Sequence, residues 1–144
     1  LYTVTYNDDG TVRAVSPEEL FRESDIISLH CPLTPQNSAF VNAPLLATAR
    51  PGLMLINAAR GGLINDQDVA DALRSGQLGC YCADVLSQEP PSPDHPILSA
   101  PNVYLTPHIA WASLDARKRV VKIMTDNLRA FLEGRQLNVV NPPL

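Results

Sequence analysis

The sequence predicts an α/β fold built on a doubly wound parallel sheet, and three observations carry that reading. Short apolar runs alternate along the chain with stretches of helical spacing. The runs are nearly continuous rather than strictly alternating, which suits strands buried on both faces. Most of these runs and helical stretches are bounded by a Pro, Gly or capping residue.

Taken in order, Leu1-Tyr2-Thr3-Val4-Thr5-Tyr6 opens as a β-rich run and Asn7-Asp8-Asp9-Gly10 turns it. Ser16-Pro17-Glu18-Glu19 starts a short helix through Leu20 and Phe21, with Ser as N-cap, Pro in the first turn and acids at the positive end. Ile26-Ile27-Ser28-Leu29 is a strand ending at His30-Cys31-Pro32. A helical stretch around Asn42 to Thr48 stops at Pro51-Gly52, and the strand Leu53-Met54-Leu55-Ile56 runs into Asn57-Ala58-Ala59-Arg60-Gly61-Gly62. The next helix has Asn65 as cap, Asp68 at its third position, Val69, Ala72 and Leu73 on one face and Gly76 as its stop. Gly79-Cys80-Tyr81-Cys82-Ala83 is a strand ending at Asp84, and Asn102-Val103-Tyr104-Leu105 one ending at Thr106-Pro107-His108. The last helix starts near Ser113 and stops at Gly134. It carries Val120, Ile123, Met124, Leu128 and Phe131 at helical spacing, with Arg117, Lys118, Lys122 and Arg129 on other, solvated faces.

Composition narrows the function. At 144 residues and 45% hydrophobic, the chain can bury one core and suits one domain. A net charge of -4 argues against an extended nucleic-acid surface or a polybasic membrane patch, so a small molecule is the expected partner. No apolar stretch approaches the about 20 residues of a membrane-spanning helix, and the first residues lack the zones of a signal peptide. A cytoplasmic protein is expected, and the three cysteines Cys31, Cys80 and Cys82, with no CxxC spacing, fit a reducing compartment. The chain opens at Leu1, already inside a strand-like run, so the expectation is the later part of a longer polypeptide. The thirteen prolines punctuate apolar runs, and there is no internal repeat.

In parallel sheets of this kind ligands bind beyond the carboxyl ends of the strands. His30, Arg60, Asp84 and His108 each follow a different apolar run, which gathers titratable or charged groups at one edge. A single His is more often structural than catalytic, but Pro107-His108 directly after a strand aims an imidazole at that edge, and imidazole exchanges a proton near neutral pH. Glu89, in the loop Ser87-Gln88-Glu89-Pro90-Pro91, is a solvated acid if it has no partner; beside His108 it would favour the imidazolium. Arg60 is either an ordinary surface arginine or, set between Ala58-Ala59 and Gly61-Gly62, a guanidinium free to fork onto a carboxylate where small residues let backbone approach a ligand. His95 reads as a loop residue, and no spacing resembles a metal site. Cys80 and Cys82 share a strand face and read as small core residues. Trp111 either lines the cleft or packs the helix start.

The run His30-Cys31-Pro32-Leu33-Thr34, the segment from Leu55 to Ile64, Ala83-Asp84-Val85 with Glu89-Pro90-Pro91, and Leu105 to Trp111 together resemble the D-isomer-specific 2-hydroxyacid dehydrogenases, in the right order and over nearly the whole chain. The wording from Pro107 to Trp111 and Asn138-Val139-Val140-Asn141 is most similar to the glycerate dehydrogenase, or hydroxypyruvate reductase, branch. The resemblance implies a Rossmann-like sheet lacking its first βαβ unit, with residues 1–112 as the C-terminal portion of an NAD-binding domain and residues 113–144 as a helix and tail packing on a substrate domain. It implies that Arg60 holds the substrate carboxylate and polarises the carbonyl, that His108 donates a proton to the carbonyl oxygen, and that Glu89 tunes His108. Asp84 would meet the nicotinamide carboxamide, and His30, Cys31, Pro32, Ala58, Ala59, the Arg60 backbone and the turn from His108 through Ala110 to Trp111 would line the cofactor. The formate dehydrogenases of this superfamily are expected to carry Gln where Glu89 stands.

The family's GxGxxG loop and substrate half do not occur in these residues, so the expectation is that the chain alone is inactive. The ribose-facing acid should fall near Asn7 or Asp8, with Asp9 adjacent, which leans toward NAD and leaves NADP open. Reduction of hydroxypyruvate or glyoxylate to the D-2-hydroxy acid by a homodimer is the expected activity. The alternatives are an NAD-sensing corepressor on the same scaffold and a phosphoglycerate dehydrogenase. Met124, Phe131 or Leu132 would be left exposed and drive association.

Overall fold

The computed structural model describes residues 3–6 and 11–141, with side chains from residue 11 onward. The turn read at Asn7-Asp8-Asp9-Gly10 and the ribose-facing position at Asn7 or Asp8 lie outside the described residues. The chain divides into two units, Leu1–His108 and Ile109–Leu144.

In the first unit, strand β1 (Thr3–Tyr6) pairs antiparallel with β2 (Val12–Val15) as a separate two-stranded sheet, Thr3 facing Val15 and Tyr6 facing Val12. The sequence pattern does not announce β2: Val12-Arg13-Ala14-Val15 is short and mixed, and it becomes a strand through its partner. Arg13 then bridges from β2 to Glu19 and Glu23 of helix α1 (Pro17–Glu23), at 2.7 and 3.0 Å. As predicted, Ser16 caps α1, its hydroxyl accepting from the Glu19 amide at 3.1 Å, with Pro17 in the first turn.

The main sheet holds β3 (Ile26–Leu29), β4 (Leu53–Asn57), β5 (Leu78–Ala83) and β6 (Val103–Leu105), all parallel and in the order β3-β4-β5-β6. Parallel neighbours need crossovers, and helices α2 (Ala43–Ala47) and α3 (Asp66–Ser75) supply the first two. Asn42 and Asn65 cap them through their side-chain oxygens, at 3.2 and 3.1 Å from the third amide in each case. Gly76 ends α3 in the left-handed region at φ 79°, where a β-carbon would be strained. The core lies between these helices and one sheet face: Phe21, Leu46, Leu55, Val69, Leu73 and Tyr81 are all buried.

The opposite sheet face departs from the expectation of strands buried on both sides. Ile26 is 59% and Tyr104 66% exposed, and Met54, Ile56, Cys80 and Cys82 are only half-buried. The apolar sequence of a run records that both faces can be buried, not what covers them, and α1 to α3 cover one. Cys80 and Cys82 accordingly share a face, with their sulfurs 3.8 Å apart, but they are not core residues.

In the second unit a 3-10 turn at Ala110–Ala112 leads to helix α4 (Leu114–Leu132), capped by Ser113. Only Ala130 of α4 is buried; Met124, Phe131 and Leu132 are exposed. Among the described residues no helix is long and apolar enough to cross a membrane, and no group of His, Cys, Asp and Glu is arranged to hold a metal ion.

Candidate active site

The last paired rung of the main sheet runs Leu29, Asn57, Ala83, Leu105. His30, Ala58, Asp84 and Thr106 therefore follow it in one row along the carboxyl edge, with Arg60 and His108 two residues beyond Ala58 and Thr106. The edge read from the apolar runs is a single physical edge.

His108 and Glu89 meet there. The Thr106 amide donates to the Ala83 carbonyl at 2.9 Å, prolonging the ladder past β6, and the His108 amide donates back to the Thr106 carbonyl at 3.0 Å. That tight return puts His108 at φ 54°, a left-handed conformation that costs a non-glycine residue about 1–2 kcal/mol. Its ring Nδ1 lies 2.7 Å from Glu89 Oε2, while Glu89 Oε1 accepts from the Leu86 amide at 2.8 Å. Both carboxylate oxygens are engaged by donors, the His108 ring most strongly and the Leu86 amide next, and together they hold the Glu89 carboxyl below its ordinary range.

Asp84 is buried, with Oδ1 accepting from the Thr106 hydroxyl and its amide donating to the Asn57 carbonyl at 3.0 Å. It thus locks the strand end that launches His108 to the end of β4. Asn57 itself is fully buried and shapes the arginine turn: its Nδ2 donates to the Arg60 carbonyl at 3.0 Å and its Oδ1 accepts from the Ala59 amide at 3.1 Å. Arg60 is exposed, and its Nη1 donates to the Ala59 carbonyl at 2.6 Å.

The glycine pair beside Arg60 has a different reason from the one its sequence suggests. A β-carbon on Gly61 would collide with the Leu86 carbonyl, and one on Gly62 would stand 2.9 Å from Leu33 Cδ2. The close approach is to neighbouring loops, and Gly61 ties the turn of Arg60 to the loop of Glu89.

At the end of β3, Ser28 Oγ and His30 Nε2 are 2.8 Å apart. Buried Asn37 pins the following loop, donating to the Pro32 carbonyl at 2.8 Å and accepting from the Thr34 amide at 2.7 Å. Leu20, Phe21, Leu29, His30, Cys31 and Pro32 contribute to the wall of a cavity of about 740 Å³. A broad cleft walled largely by apolar side chains can take a flat aromatic group. Ala110 and Trp111 belong to the second unit, where Trp111 is 64% exposed.

Sequence reasoning did not single out Asn37, Asn57 and Thr106 as builders of this edge. Asn57 had a signal, a polar residue at the end of an apolar run; Asn37 and Thr106 look like ordinary loop residues until their partners are known.

A sequence model of the D-isomer specific 2-hydroxyacid dehydrogenase NAD binding domain matches residues 2–110. The hydroxypyruvate reductase of Blautia hydrogenotrophica is 45% identical over 134 residues, which are 93% of this chain and 42% of that protein. The glycerate dehydrogenase of Methylorubrum extorquens is 39% identical over 128 residues, 88% of this chain and 41% of that one. A Thermus thermophilus protein of solved structure superposes with a TM-score of 0.79 at 40% identity, covering 90% of this chain and 41% of its own. The chain spans well under half the length of the curated relatives it matches.

Proposed function

The chain belongs to the D-isomer-specific 2-hydroxyacid dehydrogenases, and from that premise we propose that the natural protein carrying it reduces hydroxypyruvate or glyoxylate to the D-2-hydroxy acid. The observation that carries this reading is the 2.7 Å contact of His108 Nδ1 with Glu89 Oε2 at the carboxyl edge of the sheet. The likeness to a hydroxypyruvate reductase and a glycerate dehydrogenase supports the choice of substrate.

Bound NADH supplies the hydride for this reduction. His30, Cys31 and Pro32, with Ala58, Ala59 and Asp84, are assigned to holding the cofactor along the edge. The Glu89 carboxylate accepts from Nδ1, so the second proton of the imidazolium sits on Nε2, and His108 delivers it from there to the carbonyl oxygen, becoming neutral. Glu89 keeps the ring in that tautomer and compensates its charge before transfer. Arg60 forks onto the substrate carboxylate, orients the carbonyl and stabilises the charge that develops on its oxygen. Residues 113–144 are assigned to packing on a substrate domain, supported by the exposed Met124, Phe131 and Leu132 of α4.

The test is hydroxypyruvate-dependent oxidation of NADH, and separately of NADPH, by the natural polypeptide. His108→Ala should lower kcat by about 10²–10⁴-fold, the usual contribution of a positioned proton donor. Undiminished turnover in that variant refutes the assignment, and faster oxidation of NADPH overturns the choice of NADH.

A further inference from the structure

The loop between β5 and β6 takes part in a second polar cluster, which holds the residues on either side of Glu89. Two residues before Glu89, the Ser87 hydroxyl donates to Asp66 Oδ2. Six residues after Glu89, the His95 ring nitrogen Nε2 lies 3.4 Å from both Asp66 Oδ2 and Ser87 Oγ. His95 is 6% exposed, and Asp66 is the first residue of α3, where a carboxylate is favoured by the helix dipole.

We propose that Asp66, Ser87 and His95 form a clamp that sets the Glu89 carboxylate against His108. This rests on the reading of His108 as the proton donor. Glu89 is exposed and would resist ordering, since fixing a long Glu side chain gives up rotamer entropy. The clamp answers that cost by fastening both shoulders of its loop to one carboxylate on a capped helix. Gly61 presses on the same loop at Leu86, so the backbone amide that binds Glu89 Oε1 is fixed from two directions.

The three residues are not a nucleophilic triad, although the residue types would allow one. In a triad the acid and the nucleophile meet opposite ring nitrogens, whereas Asp66 and Ser87 both lie on Nε2 of His95. Asp66 Oδ1 and His95 Nδ1 are buried with no hydrogen-bond partner among the described residues. A half-satisfied buried network costs stability, so a positional role explains it better than a stabilising one.

The experiment uses the natural polypeptide, with Ser87→Ala, Ser87→Thr and Asp66→Asn. The readouts are kcat with hydroxypyruvate, KM for the reduced cofactor, thermal stability, and the titration of the Glu89 carboxyl by ¹³C NMR. Loosening the clamp should lower kcat about ten-fold, within the hundred-fold that a ~1 Å misplacement can cost, with KM for the cofactor unchanged. The Glu89 titration should move up toward the ordinary carboxyl range as the carboxylate leaves His108, and Ser87→Thr should restore both. Loss of thermal stability with an unmoved Glu89 titration overturns the proposal, as does wild-type behaviour in Ser87→Ala. Should Asp66→Asn fail to fold, Ser87→Ala decides. Should the protein reduce no 2-oxo acid, the proposed reaction falls, and the Glu89 titration alone still judges the clamp.

Discussion

Gly61 lies against Leu86 so closely that a β-carbon would overlap the Leu86 carbonyl and the Ser87 amide. The turn that presents Arg60 and the loop that presents Glu89 are therefore in register through bare backbone. Gly61→Ala cannot be relieved by a rotamer change, because both partners are main chain; the loop has to move. Overpacking of this kind costs about 1–3 kcal/mol, so the urea midpoint should fall. Turnover should fall further than the unfolded fraction explains, because Glu89 moves with Leu86. A variant with wild-type midpoint and wild-type turnover disproves the coupling.

Asn57 predicts a different failure. Its amide is fully buried, donates to the Arg60 carbonyl and accepts from the Ala59 amide. Asn57→Leu fills the space, leaves the Ala59 amide without its acceptor and leaves the Arg60 carbonyl with the Leu63 amide alone, and a stranded buried polar group costs about 1–3 kcal/mol. Since the arginine turn loses its template, KM for the oxo acid should rise more than kcat falls. Equal loss in the two constants would show that Asn57 does not position Arg60.

The strands and caps are legible because they are local chemistry: Ser16 before Pro17, Asn65 three residues before Asp68, Gly76 at the end of α3. The edge is legible too, because parallel pairing carries the ends of four apolar runs to one side whatever their loops do. What could not be read is non-local. Strand β2 depends on its pairing with β1, and the exposure of Ile26 and Tyr104 depends on what covers a face. The meeting of Glu89 with His108 spans 19 residues: placement on one edge raises it as a condition, and the family resemblance implies it. Asp66 and Ser87 read as a helix-start acid and a loop serine until the fold sets them side by side.

The pH behaviour of Glu89 follows in sign from its partners. Its carboxyl is held below the ordinary value of 4.5, first by the His108 hydrogen bond and then by the Leu86 amide. A group whose folded value is lowered contributes its stability above the ordinary value and loses it as pH falls through the folded one. The loss therefore lies below pH 4.5, and it is small because the His108 and Glu89 side chains are 49% and 37% exposed. His108→Ala removes the larger cause, so the Glu89 ¹³C titration should shift upward in that variant. An unchanged midpoint would mean that the two side chains are not paired in solution.

Cys80 behaves oppositely, because its charged form is disfavoured. Burial pushes its thiol above the ordinary value, and the hydrogen bond with Cys82 pushes further. The thiolate is the nucleophile, so at a given pH less of Cys80 is reactive than an unperturbed thiol would supply. Site-resolved alkylation with iodoacetamide should be slow near neutrality and reach half of its maximal rate only above pH 9.0, the ordinary midpoint for a thiol. Cys82→Ala removes the second cause while leaving the strand face intact, so the Cys80 profile should move to lower pH. A wild-type midpoint at or below pH 9.0 contradicts the burial argument, and an unmoved profile in Cys82→Ala contradicts the sulfur–sulfur hydrogen bond.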